Sequence, residues 1–180
     1  MQISIDGFVA GSNGEGDWIT FKLDEKLKKF RSELNDTVDT IISGRKMTDG
    51  FVGHWENVVK NHPDSPDYAL AKFIVDTPKI VFSKTQKTIS GLNTSITNED
   101  LVEVVNKLKN EKGKDIIVYG GAGFVTSLIE NNLIDEYYLI MNPVALGSGL
   151  SIFNQRTKLK VVKSTKYACG KVVHKFIPAK

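Results

Sequence analysis

The chain has little cysteine, little histidine and no long apolar run. Cys169 is the one cysteine among 180 residues. It has no partner for an internal disulfide and no companions for a thiolate metal site, which predicts a reducing, cytoplasmic setting. The three histidines, His54, His62 and His174, make no H-x-x-x-H pair, so the helical zinc-hydrolase pattern is missing. His54, beside Trp55, reads as a solvated loop residue, with a place bordering the substrate as the alternative. No apolar stretch reaches the ~18 residues that a membrane-spanning helix needs. There is no repeat and no low-complexity segment, and the first residues read as folded domain rather than signal peptide. Charge is nearly balanced, with 24 basic against 21 acidic side chains and a formal net charge of +3. That excess is too small, and its lysines too scattered, to predict a nucleic-acid or membrane partner. With 41% hydrophobic and 25% charged residues, the chain reads as one globular domain, 1–180.

What the sequence does have is a set of strands that stop in glycine, hydroxyl or cation. Ile116 to Tyr119 is an apolar strand that ends at Gly120, Gly121 and Gly123 around Ala122. A helix follows, with Phe124, Leu128 and Ile129 on one face, and then a second apolar strand, Tyr137 to Met141. Glycines at a strand-to-helix turn let a ligand approach the backbone and leave the first helical N–H groups for an anion. Thr40-Ile41-Ile42 runs into Ser43-Gly44-Arg45-Lys46, and Lys79 to Phe82 runs into Ser83-Lys84-Thr85. Ligands of open α/β sheets sit outside the carboxyl ends of strands. Three such ends suit a ligand with several phosphates. The loop is not the Rossmann fingerprint, because Thr126 stands at the next required glycine, and Asp135 and Glu136 come too early for the ribose-binding acid. A P-loop is absent.

The remaining segments fill in the fold. Leu23, Leu27, Phe30 and Leu34 have helical spacing. A short helix is predicted from Gly44 to Phe51, then an irregular stretch from Gly53 to Asp67 with a short helix at most. Ala69 to Ile74 reads as another short helix. Thr97 to Asp100 resembles a capping box before an apolar face of Leu101, Val104, Val105 and Leu108, with Gly113 closing that helix. Leu159 to Lys166 and Lys171 to Ile177 form a terminal hairpin bent at Gly170.

Taken in order, Ser4-Ile5-Asp6-Gly7-Phe8-Val9-Ala10, Asp17-Trp18, Gly44-Arg45-Lys46, Pro78 to Thr85, Asp115 to Gly123, Leu133 to Glu136 and Pro143 to Gly149 resemble the dihydrofolate reductase-like family. The branch they resemble contains the C-terminal reductase domain of the bifunctional deaminase-reductase of riboflavin biosynthesis. Only Met1-Gln2-Ile3 precede Ser4, so the first strand is expected to be short or to lack its natural start.

The resemblance implies an α/β three-layer sandwich with a mixed, mostly parallel sheet and an antiparallel C-terminal hairpin. It implies NADPH, with Gly120, Gly121, Ala122, Gly123, Phe124 and Val125 at the pyrophosphate, Gly44, Arg45 and Lys46 at the second phosphate helix, and Ser83, Lys84 and Thr85 at the adenosine ribose. It also implies a cis bond between Gly120 and Gly121. Arg45 and Lys84, with no acid placed for a bare 2′-hydroxyl, favour the 2′-phosphate. Asp6, Trp18 and Asp24 fall on the substrate side, although Asp6 also suits a turn and Asp24 a helix cap. No catalytic residue is assigned. The expected activity is reduction of a small pterin-like or pyrimidine-like heterocycle. The alternatives are the ribosylaminopyrimidine reductase of the riboflavin pathway and an NADP-binding protein without turnover. A homodimer is expected through the β-rich C-terminal edge, with a small-molecule substrate and neither nucleic acid nor membrane as partner.

Overall fold

The computed structural model describes residues 1–20 and 23–179, and the backbone but not the side chain of Asp49. It forms two compact units. Unit 1 comprises residues 1–30 and 122–180, and unit 2 comprises residues 31–121.

Unit 2 is built on a four-stranded parallel sheet in the order β4 (Thr94–Thr97), β3 (Lys79–Phe82), β2 (Val38–Gly44), β5 (Asp115–Val118). The register aligns the carboxyl ends. Gly44 pairs with Phe82, Phe82 with Thr97, and Ile42 with Val118. Ile41, Ile42 and Val81 are buried, as near-continuous apolar strands of a covered parallel sheet should be. The helices of this unit are α2 (Arg45–Asn61), α3 (Tyr68–Asp76), α4 (Leu101–Asn110) and the second half of α1 (Glu25–Asp36).

The helix α2 corrects the sequence reading, which broke it near Phe51. It runs unbroken for 17 residues. Phe51, Val52, Trp55, Val58 and Val59 repeat at helical spacing, and Val52 and Val58 are buried. Gly50 and Gly53 each cost about 1 kcal/mol against alanine, whereas each buried valine contributes roughly 1.5–3 kcal/mol. Packing therefore outweighs propensity, and the helix stops only before Pro63.

Helix α4 departs in smaller ways. Its cap is Asp100, whose carboxylate accepts from Val102 N–H at 2.8 Å and Glu103 N–H at 3.1 Å. Thr97 instead ends β4. The helix stops at Asn110, before Gly113, which lies in the turn to β5. A Cβ on Gly113 would sit 2.7 Å from Asp39 Oδ2. That same oxygen accepts the Lys114 N–H at 2.6 Å.

Unit 1 holds the second sheet, ordered β1 (Gln2–Ile3), β6 (Tyr137–Met141), β8 (Val172–Pro178), β7 (Leu159–Lys166). Here β1 runs parallel to β6, while β8 is antiparallel to both its neighbours. Over the two sheets four of six strand pairings are parallel, so the mixed, mostly parallel arrangement with a terminal hairpin is found. Helix α5 (Ala122–Glu130) buries Val125, Leu128 and Ile129, and the first half of α1 buries Leu27 against Tyr167 and Val173. Among the described residues no helix is long and apolar enough to cross a membrane.

Candidate cofactor and substrate site

The carboxyl edge of the unit 2 sheet gathers three of the segments singled out by the sequence. At the end of β2, Gly44 caps α2 in an extended conformation with no side-chain hydrogen bond, and no acid occupies the first helical turn. The first two residues of that turn are Arg45 and Lys46. Beneath them Thr48 donates its hydroxyl to Gly44 O at 3.0 Å and lies 3.0 Å from the buried Ser43 hydroxyl, which fixes the strand-to-helix turn.

The end of β3 folds back as a tight hydroxyl turn. Ser83 Oγ accepts from Gln86 N–H at 2.9 Å and Thr85 N–H at 3.3 Å. Its own proton is left to donate. Gln86 Oε1 accepts from Arg45 Nη1 at 3.2 Å, so the ends of β2 and β3 are joined through side chains. Asn98 Nδ2 donates to Ser83 O at 2.7 Å and Gln86 O at 2.9 Å, holding the loop from the β4 side. Lys84 and Thr85 are exposed at the tip. Gln86 and Asn98 were not singled out from the sequence. Their polar side chains, four residues past the end of β3 and one past the end of β4, were the available signal.

At the end of β5, Tyr119 is followed by buried Gly120 and then by Gly121 at φ +81. No peptide bond among the described residues is cis, so the expected cis bond between Gly120 and Gly121 is not found. The left-handed glycine makes the reversal instead, a conformation that costs other residues energy. Tyr119 is half-buried. Burial pushes its phenol well above the ordinary value, with the Arg31 charge opposing. The neutral hydroxyl donates to Asn35 Oδ1 at 2.8 Å. Phe51 lies 5.9 Å from the Tyr119 ring and meets Trp55 edge-on at 6.1 Å. This aromatic cluster, with Arg31 one turn before Asn35 on α1, is a second feature that sequence reading missed. Its only trace was the four-residue spacing of Arg31 and Asn35.

In unit 1, α5 opens with Ala122 and carries no acid in its first turn. A Cβ placed on Gly123 would meet nothing within 4 Å, so that turn is sterically open. Phe124 is half-buried and Val125 is buried.

The nominated substrate residues also lie in unit 1, where each has a structural partner. Asp6 accepts the Ser4 hydroxyl at 2.6 Å and the Gly147 N–H at 2.7 Å. The Leu146 N–H reaches both its oxygens, at 3.1 and 3.0 Å. The Ser4 hydroxyl, then these amides, hold its carboxyl below the usual range. Ile5 N–H donates to Val144 O at 2.9 Å, and Val9 N–H to Leu150 O at 2.8 Å. Thus the S-x-D-G segment and the segment Pro143 to Gly149, far apart in sequence, form one structure.

Asp24 accepts the Leu27 N–H at 2.9 Å and the Cys169 N–H at 3.0 Å. It caps α1 and ties it to the β7–β8 bend. The Leu27 amide is the main cause of its depressed pKa. Trp18 is half-buried and donates Nε1–H to Glu15 O at 3.1 Å.

Residues 1–173 match the family described as the RibD C-terminal domain. The chain belongs to that family. Its fold is the α/β, dihydrofolate reductase-like fold of the RibD reductase domains. This RibD C-terminal domain is 37% identical over 175 residues to the uncharacterized protein YyaP of Bacillus subtilis, covering 96% of this chain and 89% of that protein. It is 23% identical over 153 residues to the riboflavin biosynthesis protein RibD of Corynebacterium ammoniagenes, covering 83% of this chain but 43% of that protein. Among solved structures, RibD of Acinetobacter baumannii superposes with a TM-score of 0.70 at 15% identity, covering 99% of this chain and 57% of that one.

Proposed function

We propose that this domain is an NADPH-dependent, cytoplasmic reductase of a small heterocycle, pterin-like or pyrimidine-like. The observation that carries the reading is the shared carboxyl edge of β2, β3 and β5, where a glycine-capped helix start free of acids is joined to a hydroxyl turn through Arg45 and Gln86. Other helix starts differ. Asp100 occupies the first N–H groups of α4, and Asp24 those of α1. Carboxylates there would repel a phosphate, whereas the starts of α2 and α5 offer unopposed positive ends.

The residues present therefore suit a dinucleotide. Gly44, Arg45 and Lys46 would hold one phosphate, and Ser83, Lys84 and Thr85 the adenosine ribose. Gly120, Gly121, Ala122, Gly123, Phe124 and Val125 would follow the pyrophosphate. When bound, the cofactor supplies the hydride, so the protein's task is alignment and exclusion of water. Asp6, Trp18 and Asp24 serve the substrate side by fixing the segments that carry it. We also propose that the domain acts as a homodimer.

The riboflavin-pathway ribosylaminopyrimidine reductase is the narrower reading, supported by family membership and by the likeness to RibD proteins. Cofactor titration and turnover test the general one. NADPH should bind more tightly than NADH and be consumed with a member of a pterin and pyrimidine panel. Replacing Arg45 and Lys84 together with glutamine should weaken NADPH roughly 10–100-fold, the scale of one or two lost charge-assisted hydrogen bonds, and leave NADH nearly unchanged. Equal affinities in the unmodified protein would refute reading of the 2′-phosphate. Binding without consumption across the panel would favour a non-catalytic NADP-binding role.

A further inference from the structure

The connection from β3 to β4 leaves a cavity against α2, within unit 2. The connection is pinned at both ends. At one end Gln86 Nε2 donates to Thr88 O at 2.7 Å, while Gln86 Oε1 accepts from Arg45 Nη1 at 3.2 Å. At the other end Glu56 Oε1, on α2, accepts the Leu92 N–H at 2.7 Å, and Thr94 Oγ1 donates to Leu92 O at 2.9 Å. Gly91, at φ +133, lies so close to α2 that a Cβ there would stand 2.7 Å from Val52 Cγ1. Between these pins, segment 88–91 and α2 line a cavity of about 430 Å³. Small-molecule sites span roughly 300–1,000 Å³.

Val52 from α2 and Ile89 from the connection give the cavity apolar surface. Glu56 brings the one charged group of its lining, and that side chain is half-buried. One carboxylate oxygen is committed to Leu92. Among the described residues the other, Oε2, has no hydrogen-bond partner, and neither have the hydroxyls of Thr88 and Ser90, which also line the cavity. Gln86 has nothing left to offer a ligand. Its side chain is taken by Arg45 and Thr88, its N–H goes to Ser83 Oγ at 2.9 Å, and its carbonyl accepts from Asn98 Nδ2 at 2.9 Å. Lys79 feels the Glu56 charge, but its ammonium is spent on the carbonyl oxygens of Ile74, Val75 and Thr77.

These groups discriminate between ligands. A half-buried carboxylate with a free oxygen, and no cation in the lining, repels phosphates and carboxylates and favours a positive charge. A bare metal ion would find no group of three ligating side chains among the described residues. An ammonium carries three donors and no acceptor. Glu56 Oε2 and the hydroxyls of Thr88 and Ser90 are three acceptors in one cavity, and Val52 and Ile89 suit an attached hydrocarbon body. We propose that this cavity binds a small organic amine in its cationic form, with the ammonium on Glu56 and the hydrocarbon part on Val52 and Ile89. The site is separate from the cofactor contacts described above and stands whether or not the domain is a reductase.

Calorimetric titration with tryptamine, and with tryptophol as its neutral counterpart, tests this. Tryptamine binds the unmodified protein, and neither inorganic phosphate nor NADPH displaces it. Tryptophol binds roughly tenfold more weakly or worse. Glu56→Gln keeps an oxygen for the Leu92 N–H and loses the charge. It weakens tryptamine roughly 10–100-fold, the scale of one lost charge-assisted hydrogen bond, and leaves tryptophol unchanged. Gly53 lines the cavity from an exposed position of α2, where a Cβ would meet nothing within 4 Å. Gly53→Leu therefore fills the cavity and abolishes tryptamine binding, which keeps the test decisive should Glu56→Gln fail to fold. The proposal is overturned if tryptamine does not bind, if tryptophol binds as tightly, or if NADPH displaces the amine. It is equally overturned if either folded variant binds tryptamine as the unmodified protein does.

Discussion

Asp6 shows how one carboxylate can hold two distant segments. It takes a hydroxyl from Ser4 and amides from Leu146 and Gly147, and these hydrogen bonds favour its charged form. Asp24 and Asp39 are lowered in the same direction by the amides of Leu27 and Lys114. A carboxyl whose folded pKa lies below its unfolded value stabilises the protein above the unfolded value, ~4 for aspartate. That contribution is lost as pH falls from there through the folded value. The melting temperature should therefore hold steady near neutrality and drop on acidification below about pH 4. Asp6→Asn should lower the neutral melting temperature and make the acid-side drop shallower. A thermal melt series across pH checks this, and an unchanged acid-side slope in the variant would show that Asp6 is not a main contributor.

At the scale of elements, α2 is the informative case. Its glycines argued for a break, and its apolar stripe argued for a helix. The stripe prevailed because Val52 and Val58 are buried. Gly50 lies inside the helix, is exposed, and has open space where a Cβ would stand. Gly50→Ala should therefore stabilise the protein by about 0.5–1 kcal/mol by reducing unfolded-chain entropy. Urea denaturation measures this. A destabilised variant would mean that α2 is interrupted there in solution, as the irregular reading of the sequence had it. The half-helix of α1 from Arg31 makes a related point. Asn35 accepts from the Tyr119 hydroxyl, and the Arg31 charge acts on the same phenol, so the helix ties itself to the end of β5.

At the scale of the whole molecule, the sheet of unit 1 ends on β7, which pairs with β8 alone. Val161 and Val162 of β7 are about half exposed, at 55% and 51%. An edge with apolar side chains invites a second copy, and two-fold pairing is the commonest closure. Lys160, Lys163 and Lys166, with the register irregularity between Val161 and Lys163, oppose it. We expect the apolar pair to prevail and light scattering to give twice the 20.0 kDa of one chain. Val161→Glu with Val162→Glu should return the mass to one chain. A single-chain mass in the unmodified protein, constant on concentration, would leave β7 protected by its lysines and its irregular register.

The sequence by itself determined the alternation of strands and helices and the chemistry of the strand ends. Apolar runs bounded by glycine or hydroxyl residues encode those locally, and β3, β6 and β7 fall where their patterns put them. It also carried the ordered motifs of the RibD C-terminal family, from Ser4 to Gly149. Tertiary structure alone decided which distant pieces meet. The joining of Asp6 to the 146–147 amides, of Arg45 to Gln86, and of Asn98 to the Ser83 turn depends on strand register and helix packing. No periodicity records such pairings, because the partners stand from 12 to 141 positions apart.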